Sequence, residues 1–458
     1  REISLKLPTD YNEDELRKGI GKELGIQEFS YQIENKSLDA RKKENIHWLV
    51  RVLVLSGEVE GGVPLLSPSL EIPYRKRRER AVVVGSGPAG FFAAFILQKA
   101  GFHTTIIERG TDVHKRAEGI REFEKTGVFN PVSNYAFGEG GAGTFSDGKL
   151  TSRSKHISKE RQFILSSYIQ AGAPEEIGYM AHPHLGSDNL RKIVRNLRDA
   201  FSDIGGSVLF ETMLEDLKIA DGKVIEAITT SGGIEADYFI IAPGHSAYET
   251  YRMLIRRGVH FRTKSFAIGS RVEHPQEIIN KAQWGRERLP GVKAAEYRLT
   301  SQGDGNLPVY TFCMCPGGTV VPAAAYQDTN IVNGMSLYMR DGKFANAACV
   351  AGVHPDKLIG REATPEEALD WLGALEQSFY QYSDGFKAPF CSIQNFINRK
   401  EPAEIVESSY PLELKPAALW NLLPAEVSSS IREGLKDFSR KIKGFETGSI
   451  MGLESKTS

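Results

Sequence analysis

A glycine-rich hexapeptide, Gly85–Gly90, carries the clearest chemistry in this sequence. It directly follows the β-branched segment Ala81–Val84. The first glycine permits a tight turn out of a strand, the second lets a pyrophosphate approach the backbone, and the third lets the next helix pack closely on the sheet. The N–H groups and the dipole at the start of that helix favour phosphate. The pattern predicts a dinucleotide site formed by Gly85, Ser86, Gly87, Pro88, Ala89 and Gly90.

An acidic residue stands where a dinucleotide site uses one. Glu108 follows a second strand-like segment, Thr104–Ile107, and seventeen residues separate it from Gly90. There it can accept hydrogen bonds from ribose hydroxyls, each contributing about 1.5–3 kcal/mol, and an acid argues against a 2′-phosphate. We include Glu108 and its neighbour Arg109 in the predicted site. The alternative, a glycine turn that binds nothing, is disfavoured by the strand–turn–helix–strand order.

A second glycine cluster has five glycines in the eleven residues from Gly138 to Gly148. It also matches G-x-G-x-x-G, but no β-branched strand precedes it and Thr144–Gly148 is a poor helix start. We therefore predict a loop laid against the cofactor rather than a second dinucleotide fold, with a plain surface turn as the alternative. The predicted contacts are Gly140, Gly141, Ala142, Gly143 and Thr144.

These segments resemble a known family. Gly85–Glu108 resembles the ADP-binding signature of the glutathione-reductase-type FAD superfamily. Asn134–Leu150 resembles a signature of the uncharacterised bacterial FAD-dependent dehydrogenases, also called NAD(FAD)-utilising dehydrogenases, and so do Cys315–Gly318, Asn333–Ser336 and Gly452–Ser458. The resemblance runs from about residue 81 to the last residue, and the N-terminal module fits it too. It implies FAD as the cofactor, which spacing alone does not distinguish from NAD.

The resemblance also implies further contacts. In the superfamily, a strand equivalent to Val208–Met213 lends backbone groups to the adenine; we assign this to Met213, with sheet-edge packing as the alternative. Ala242, Pro243 and Gly244 stand where the superfamily usually has Ala-Thr-Gly, and a proline supplies no N–H. A late glycine-rich segment usually follows at the flavin, whereas this sequence stops at Ser458. We therefore expect either a longer polypeptide or an incomplete flavin pocket.

The order of elements predicts an α/β fold. We expect a Rossmann-like FAD-binding domain, an inserted α+β substrate and C-terminal domain, and a small N-terminal α+β module. The expected boundaries are 1–75 for a β-α-β-β module with its linker, 76–268 for the FAD domain, 269–440 for the substrate or cap domain, and 441–458 for a truncated return to the FAD domain.

Apolar periodicity predicts individual elements within these domains. In the N-terminal module these are a strand at Ile3–Pro8, a helix at Glu13–Leu24, and strands at Phe29–Glu34 and Ile46–Leu55. Gly222–Thr229 and Ala236–Gly244 form a hairpin-like pattern. Further along, Val309–Met314 is predicted as a strand and Pro365–Tyr382 as a helix.

No catalytic residue is identified from the sequence. Cys313 and Cys315 would lie on one face of a strand, because side chains alternate. Too few ligands accompany them for a metal, so they are either a redox dithiol or two small buried hydrophobes, and we favour the latter. His182, His184 and His245 are candidates for proton donation to a reduced flavin, with structural or surface roles as the alternatives.

Composition narrows the class of protein. The chain has 458 residues, 41% of them hydrophobic and 25% charged, a net charge of −1 and only four cysteines. These values are typical of a globular protein from a reducing compartment, which we expect to be the cytoplasm, with no membrane span. The run Arg75–Arg80 could contact nucleic acid, but the favoured interpretation is a solvated face or an inter-domain hinge.

The expected function is an FAD-dependent oxidoreductase that passes a hydride or two electrons through flavin N5. The expected partner is a small-molecule substrate or electron acceptor, and NAD(P)H, if used, would visit a shared cleft. The alternatives are a non-catalytic FAD-binding redox sensor and a flavin-dependent RNA-modifying enzyme, the latter indicated only by the basic run.

Overall fold

The computed structural model describes residues 1–61, 69–152, 154–402 and 406–456. Residues 62–68 of the predicted linker, and the last two residues of the segment Gly452–Ser458, lie outside the described residues. Among the described helices, none is both long and apolar enough to cross a membrane.

The N-terminal module has the predicted β-α-β-β order. It comprises β1 (Glu2–Leu7), α1 (Glu13–Leu24), β2 (Ser30–Asp39) and β3 (His47–Leu55). The strands form an antiparallel sheet in the order β1-β3-β2. A capping box between Asn12 and Glu15 starts the helix, and its apolar face, with Leu16 and Ile20, packs on Val50 and Val52.

The second unit contains the predicted dinucleotide fold. Its elements are β4 (Arg80–Val84), α2 (Pro88–Lys99), β5 (His103–Ile107), α3 (Val113–Thr126), α4 (Ser158–Gln170), α5 (Gly186–Asp203), β6 (Ser207–Leu209), β7 (Leu214–Ala220), β8 (Lys223–Thr229), β9 (Gly232–Glu235), β10 (Tyr238–Ile241) and α6 (Tyr248–Arg256). A parallel sheet runs in the order β10-β4-β5-β6. The α/β prediction is confirmed.

The predicted hairpin between Gly222–Thr229 and Ala236–Gly244 is wrong. Strand β8 pairs instead with β7 and β9 in a small antiparallel sheet. Strand β10 leaves this sheet and runs parallel to β4. The reason is burial: Phe239 and Ile241 pack with Val82 and Val84 in one apolar cluster, an environment typical of parallel strands.

The third unit is a larger antiparallel domain. Its elements are β11 (Phe266–Pro275), α7 (Gln276–Trp284), β12 (Thr300–Ser301), β13 (Val309–Cys315), β14 (Gly318–Pro322), β15 (Val332–Ser336), β16 (Phe344–Val353), α8 (Pro355–Ile359), α9 (Pro365–Ser383), β17 (Ala388–Ser392), α10 (Ile393–Asn398), β18 (Leu414–Pro416), α11 (Leu419–Leu422), α12 (Ala425–Lys441) and β19 (Ser449–Lys456). The predicted strand at Val309–Met314 and helix at Pro365–Tyr382 are confirmed as β13 and α9.

A seven-stranded sheet in the order β12-β13-β16-β11-β19-β17-β18 organises this domain. Strand β19 lies between β11 and β17 and pairs antiparallel with both. The prediction that 441–458 returns to the FAD domain is therefore wrong: Ile450 and Leu453 are buried in the core of the seven-stranded sheet. The boundary predicted at 268/269 falls inside β11, so the domain begins a few residues earlier.

Candidate functional site

A cleft of about 420 Å³ opens where β4, β5 and β10 end. Carboxyl ends of parallel strands are where α/β sheets bind ligands. We call it the carboxyl-end cleft, and it gathers residues from four separate predicted segments. The predicted residues that line it are Gly85, Gly87, Pro88, Ala89, Glu108, Arg109, Gly141, Ala142, Met213, Ala242, Pro243 and Gly244.

The three glycines of the first cluster have different surroundings. A Cβ at Gly85, where φ is +98°, would lie 2.3 Å from the Ala242 oxygen, and one at Gly90 would lie 2.0 Å from the Gly85 oxygen. Both glycines therefore allow close packing within the protein. A Cβ at Gly87 would meet nothing nearer than the Gly141 Cα at 3.8 Å. The absence of a side chain at Gly87 therefore leaves open space in the cleft.

Helix α2 begins at this point with Gly87 as its N-cap. No side chain caps the helix, so its first N–H groups have no side-chain acceptor. Uncapped N–H groups beside an open backbone are what a phosphate needs. The residues present here therefore fit the pyrophosphate of a dinucleotide.

Glu108 is nearly buried, with 5% of its surface exposed, and accepts four protein hydrogen bonds. Its Oε2 accepts from the Ser86 N–H at 2.9 Å and the Ser86 hydroxyl at 2.7 Å. Its Oε1 accepts from the N–H groups of Gly110 at 2.9 Å and Gly138 at 3.0 Å. Four donors match the acceptor sites of a carboxylate. The ribose contact stays a prediction, and it requires Oε2 to be shared with, or released by, the Ser86 hydroxyl.

The second glycine cluster lies directly against the first. The Gly140 N–H donates to the Ser86 oxygen at 3.2 Å, and a Cβ at Gly141 would lie 3.0 Å from the Gly87 Cα. A single 3₁₀ turn, Ala142–Phe145, follows instead of an α-helix, as expected for a loop rather than a second dinucleotide fold. Gly140, Gly143 and Thr144, with Ser86, line a separate cavity of about 150 Å³ beside the carboxyl-end cleft.

Met213 lines the cleft, but its backbone is engaged elsewhere. Its N–H donates to Thr230 Oγ1 at 3.0 Å, and its carbonyl accepts from the Thr230 N–H at 3.1 Å. An N–H makes one such bond. The Met213 N–H is therefore occupied, whereas the carbonyl keeps a second lone pair, and the contact of this backbone with an adenine stays a prediction.

Arg109 lies at the rim between the two large domains. Its guanidinium stacks over the Phe137 ring at 3.8 Å and lies 3.2 Å from the Glu249 carboxylate. Glu249 in turn accepts a hydrogen bond from the Tyr326 hydroxyl at 2.5 Å. Arg109 is thus held by the protein at the lining of the cleft.

Arg116, in α3, organises the second glycine cluster and was missed by the sequence analysis. It is fully buried, and burial lowers its pKa to about 10. Its guanidinium donates to five carbonyl oxygens, those of Asn134, Tyr135, Gly138, Glu139 and Gly141. Its position on the buried face of α3, with Val113, Ala117, Ile120 and Phe123, is the sequence signal that could have indicated a buried role.

The remaining predicted residues are divided between cleft and interior. His245 lines the cleft and is exposed, while His182 is exposed elsewhere. His184 is buried, its Nε2 lies 3.0 Å from the Tyr338 oxygen, and burial lowers its pKa to about 4, as expected for a neutral structural histidine. The cleft lining that the sequence analysis missed consists of Val84, Ile107, Ala136, Phe137, Gly138, Thr212, Leu214, Ile241, Ser246, Ala247, Thr250 and Tyr251.

The basic run is partly tied into the fold. The N–H groups of Arg75 and Arg77 donate to the carbonyls of Ala100 and Gly101. The Arg77 guanidinium stacks on Phe102 at 4.4 Å. These contacts favour the interpretation as a connection between domains.

Comparison with known families agrees with this organisation. A model described as "FAD binding domain" matches residues 78–242, and one described as "FAD-dependent protein, C-terminal domain-like" matches residues 265–457. A domain of unknown function, DUF8436, matches residues 1–55. FAD is the cofactor of this protein, which confirms the prediction.

Solved structures match parts of this chain at low sequence identity. CtdE in complex with FAD and substrate 4 is 11% identical with a TM-score of 0.34, covering 82% of this chain and 69% of that one. FqzB is 15% identical with a TM-score of 0.33, covering 68% of this chain and 61% of that one. A flavoprotein/dehydrogenase from Cytophaga hutchinsonii is 14% identical with a TM-score of 0.30, covering 64% and 60%. The chain thus spans less than two thirds of FqzB.

A relative matches along the whole chain. It is an uncharacterized protein of Clostridium beijerinckii, 37% identical over an alignment of 479 positions that covers 100% of this chain and 89% of the relative. In this chain, an FAD binding domain is followed by the C-terminal domain of an FAD-dependent protein. The chain belongs to the same family as the clostridial protein.

Proposed function

We propose that this protein is an FAD-dependent oxidoreductase of the glutathione-reductase-type superfamily, acting on a small molecule. The observation that carries the proposal is the carboxyl-end cleft, in which the open backbone at Gly87 meets the uncapped start of α2. Bound FAD would supply two-electron chemistry at flavin N5, and the protein would supply binding, orientation and electrostatics.

The ADP half of the cofactor would be held by residues already described. Gly87, Pro88 and Ala89 surround the start of α2 and would hold the pyrophosphate. Glu108 would accept a ribose hydroxyl in place of the Ser86 hydroxyl. The Met213 carbonyl would accept from the adenine amino group. The remaining cleft walls, from Pro243 to Tyr251, would exclude water along one side.

Electron donors and acceptors would share this cleft. The sequence carries only one strand–turn–helix dinucleotide fingerprint, and the second glycine cluster folds as a loop. NADH or NADPH would therefore approach FAD transiently. His245 is the exposed titratable group of the predicted set that lines the cleft, and we propose it as the first position to vary for proton transfer.

The decisive experiment is the absorption spectrum of the purified full-length protein after incubation with FAD, followed by anaerobic mixing with NADH and NADPH. A flavin spectrum that bleaches with either nucleotide supports the oxidoreductase. A flavin spectrum inert to both nucleotides and to a panel of small reductants would instead favour a sensor. A protein that retains no flavin would overturn the proposal.

The position of the cofactor is tested by Gly87→Ala. Because the new Cβ meets no protein atom nearer than 3.8 Å, the variant should fold normally but occupy space needed by the pyrophosphate. We expect FAD affinity to fall by about tenfold or more. Gly373→Ala in α9 is the matched control, since its Cβ would meet nothing within 4 Å. Equal FAD dissociation constants for the two variants would contradict the assignment.

A further inference from the structure

Two cysteines at the end of β13 lie in an unusual environment. We call Cys313, Cys315, Arg271 and Lys149 the thiol cluster. Cys313 is partly exposed and Cys315 is fully buried. The cluster does not line the carboxyl-end cleft, so its chemistry requires an explanation apart from FAD binding.

The backbone brings the two thiols together. Residues i and i+2 of a regular strand are about 6.5 Å apart, whereas a disulfide needs Cβ atoms about 3.8 Å apart. In β13 the pairing register shifts between Phe312 and Cys315, and Cys313 has a left-handed φ of +45°. The Cys315 thiol consequently donates to the Cys313 carbonyl oxygen at 3.3 Å, and the two thiols lie close enough to shift each other's pKa. The predicted proximity is thus present, but it arises from a bulge rather than from regular alternation.

Two cations surround the pair. The Arg271 Nη2 lies 2.7 Å from the Cys313 oxygen and 3.4 Å from the Cys315 Sγ. The Lys149 ammonium donates to the carbonyl of Met314, the residue between the two cysteines. The interaction with Cys315, together with these cations, lowers the pKa of Cys313. The interaction with Cys313 and burial raise the pKa of Cys315, although the same cations act in the opposite direction. A partly exposed nucleophile and a buried resolving thiol result.

The other two cysteines provide an internal comparison. Cys349 and Cys391 are fully buried in the same sheet. Burial raises the pKa of each to about 12. They therefore behave as the small hydrophobes that the sequence analysis favoured for Cys313 and Cys315.

We propose that Cys313 and Cys315 form a redox-active dithiol that reduces small-molecule disulfides. The Cys313 thiolate attacks one sulfur of the disulfide, which forms a mixed disulfide and releases the first thiolate. That thiolate takes the proton of Cys315. Cys315 then attacks the Cys313 Sγ, which closes the Cys313–Cys315 disulfide and releases the second thiolate, protonated by water. The protein dithiol loses two electrons, and the small disulfide gains them as two thiols.

The test uses the full-length protein with oxidised glutathione, followed by alkylation under denaturing conditions and mass spectrometry. In the wild type we expect a Cys313–Cys315 disulfide, with Cys349 and Cys391 still alkylated. Cys315→Ser should stop at a mixed disulfide that carries one glutathionyl group on Cys313. Cys313→Ser should remain unmodified. Lys149→Met should slow the reaction, because a cation beside the pair is lost.

Three outcomes would overturn the proposal: equal alkylation of all four cysteines after glutathione treatment, equal modification of Cys349 or Cys391, or no mixed disulfide in Cys315→Ser. Cys315→Ala provides a second trapping variant if the buried serine hydroxyl prevents folding. The readout is a protein mass, so it is independent of flavin content and of the proposed oxidoreductase activity.

Discussion

The parallel sheet of the FAD domain and the seven-stranded antiparallel sheet of the C-terminal domain handle polar groups in opposite ways. At the carboxyl-end cleft the polar groups are mainly backbone atoms beside glycines, and the start of α2 has no side-chain cap. In the seven-stranded sheet, charged side chains lie within the strands, buried and bonded to one another. The parallel sheet thus leaves room for a ligand, whereas in the antiparallel sheet the buried charged groups are bonded to one another.

Arg271 shows the second arrangement most clearly. It is fully buried in β11, with 2.7 Å hydrogen bonds to Asn346, Glu454 and the Cys313 carbonyl. Glu454, in β19, is 3% exposed. Burying such a pair gives little net stability, but removing one partner leaves an uncompensated charge. The antiparallel sheet should therefore be the region more sensitive to loss of a side chain.

The largest expected effect is that of Arg271→Met. This variant leaves the Glu454 carboxylate buried without its cation, and we expect the free energy of unfolding to fall by about 3–5 kcal/mol. The control is Lys343→Met, which breaks an exposed pair with Glu407 and should cost less than about 1 kcal/mol. Urea denaturation measures both. Similar losses in the two variants would remove the contrast between buried and exposed charge.

Gly90→Ala tests the other sheet through shape rather than charge. Its Cβ would lie 2.0 Å from the Gly85 oxygen. This clash could be removed only by moving the backbone of β4 or of α2. We expect a loss of about 3 kcal/mol in the free energy of unfolding. Gly87→Ala, three residues earlier, should unfold like the wild type in the absence of FAD. If Gly90→Ala were as stable as Gly87→Ala, the two glycines would not have the distinct roles described above.

Glu376→Gln examines the contact between the two regions. Glu376, in α9, is buried and accepts a 3.0 Å hydrogen bond from the hydroxyl of Tyr248 in α6. Burial raises its pKa from 4.5 to about 7. The folded protein therefore binds this proton more tightly than the unfolded chain, so this contribution to stability is full below pH 4.5 and is lost as pH rises to 7.

Glutamine keeps an acceptor for Tyr248 but cannot ionise. The stability of Glu376→Gln relative to wild type should thus increase by about 2–3 kcal/mol between pH 5 and pH 8. Denaturation midpoints at several pH values measure it. A difference independent of pH would mean that the carboxyl group titrates normally in the folded protein.

Local patterns were sufficient to predict the FAD domain and many of the residues that line the carboxyl-end cleft. The turn from β4 into α2, the acid after β5 and the β-α-β-β module all depend on neighbours in sequence, and the structure has them as expected. The second glycine cluster was also recognised as a loop, because the residues after it are poor helix formers. Local spacing is enough where a few consecutive backbone angles determine the structure.

Long-range pairing was not predictable in the same way. Nothing in residues 449–456 indicates whether that strand joins the parallel or the antiparallel sheet, since both accept an apolar strand. Arg116 and Glu108 were missed as organisers of the second glycine cluster because their partners are backbone atoms up to 30 residues away. Such contacts appear only when the chain is folded, and backbone acceptors leave no mark on the sequence.

The position of β19 has a consequence for how the protein is made. The ribosome synthesises this strand after β11 and β17, yet it lies between them. Until it emerges, both neighbours expose unpaired strand edges, and Arg271 lacks its carboxylate partner. Such edges are aggregation-prone. The FAD domain can complete its parallel sheet during translation. The C-terminal domain can complete its sheet only after β19 has been synthesised. We therefore expect the nascent chain to bind chaperones at this late stage.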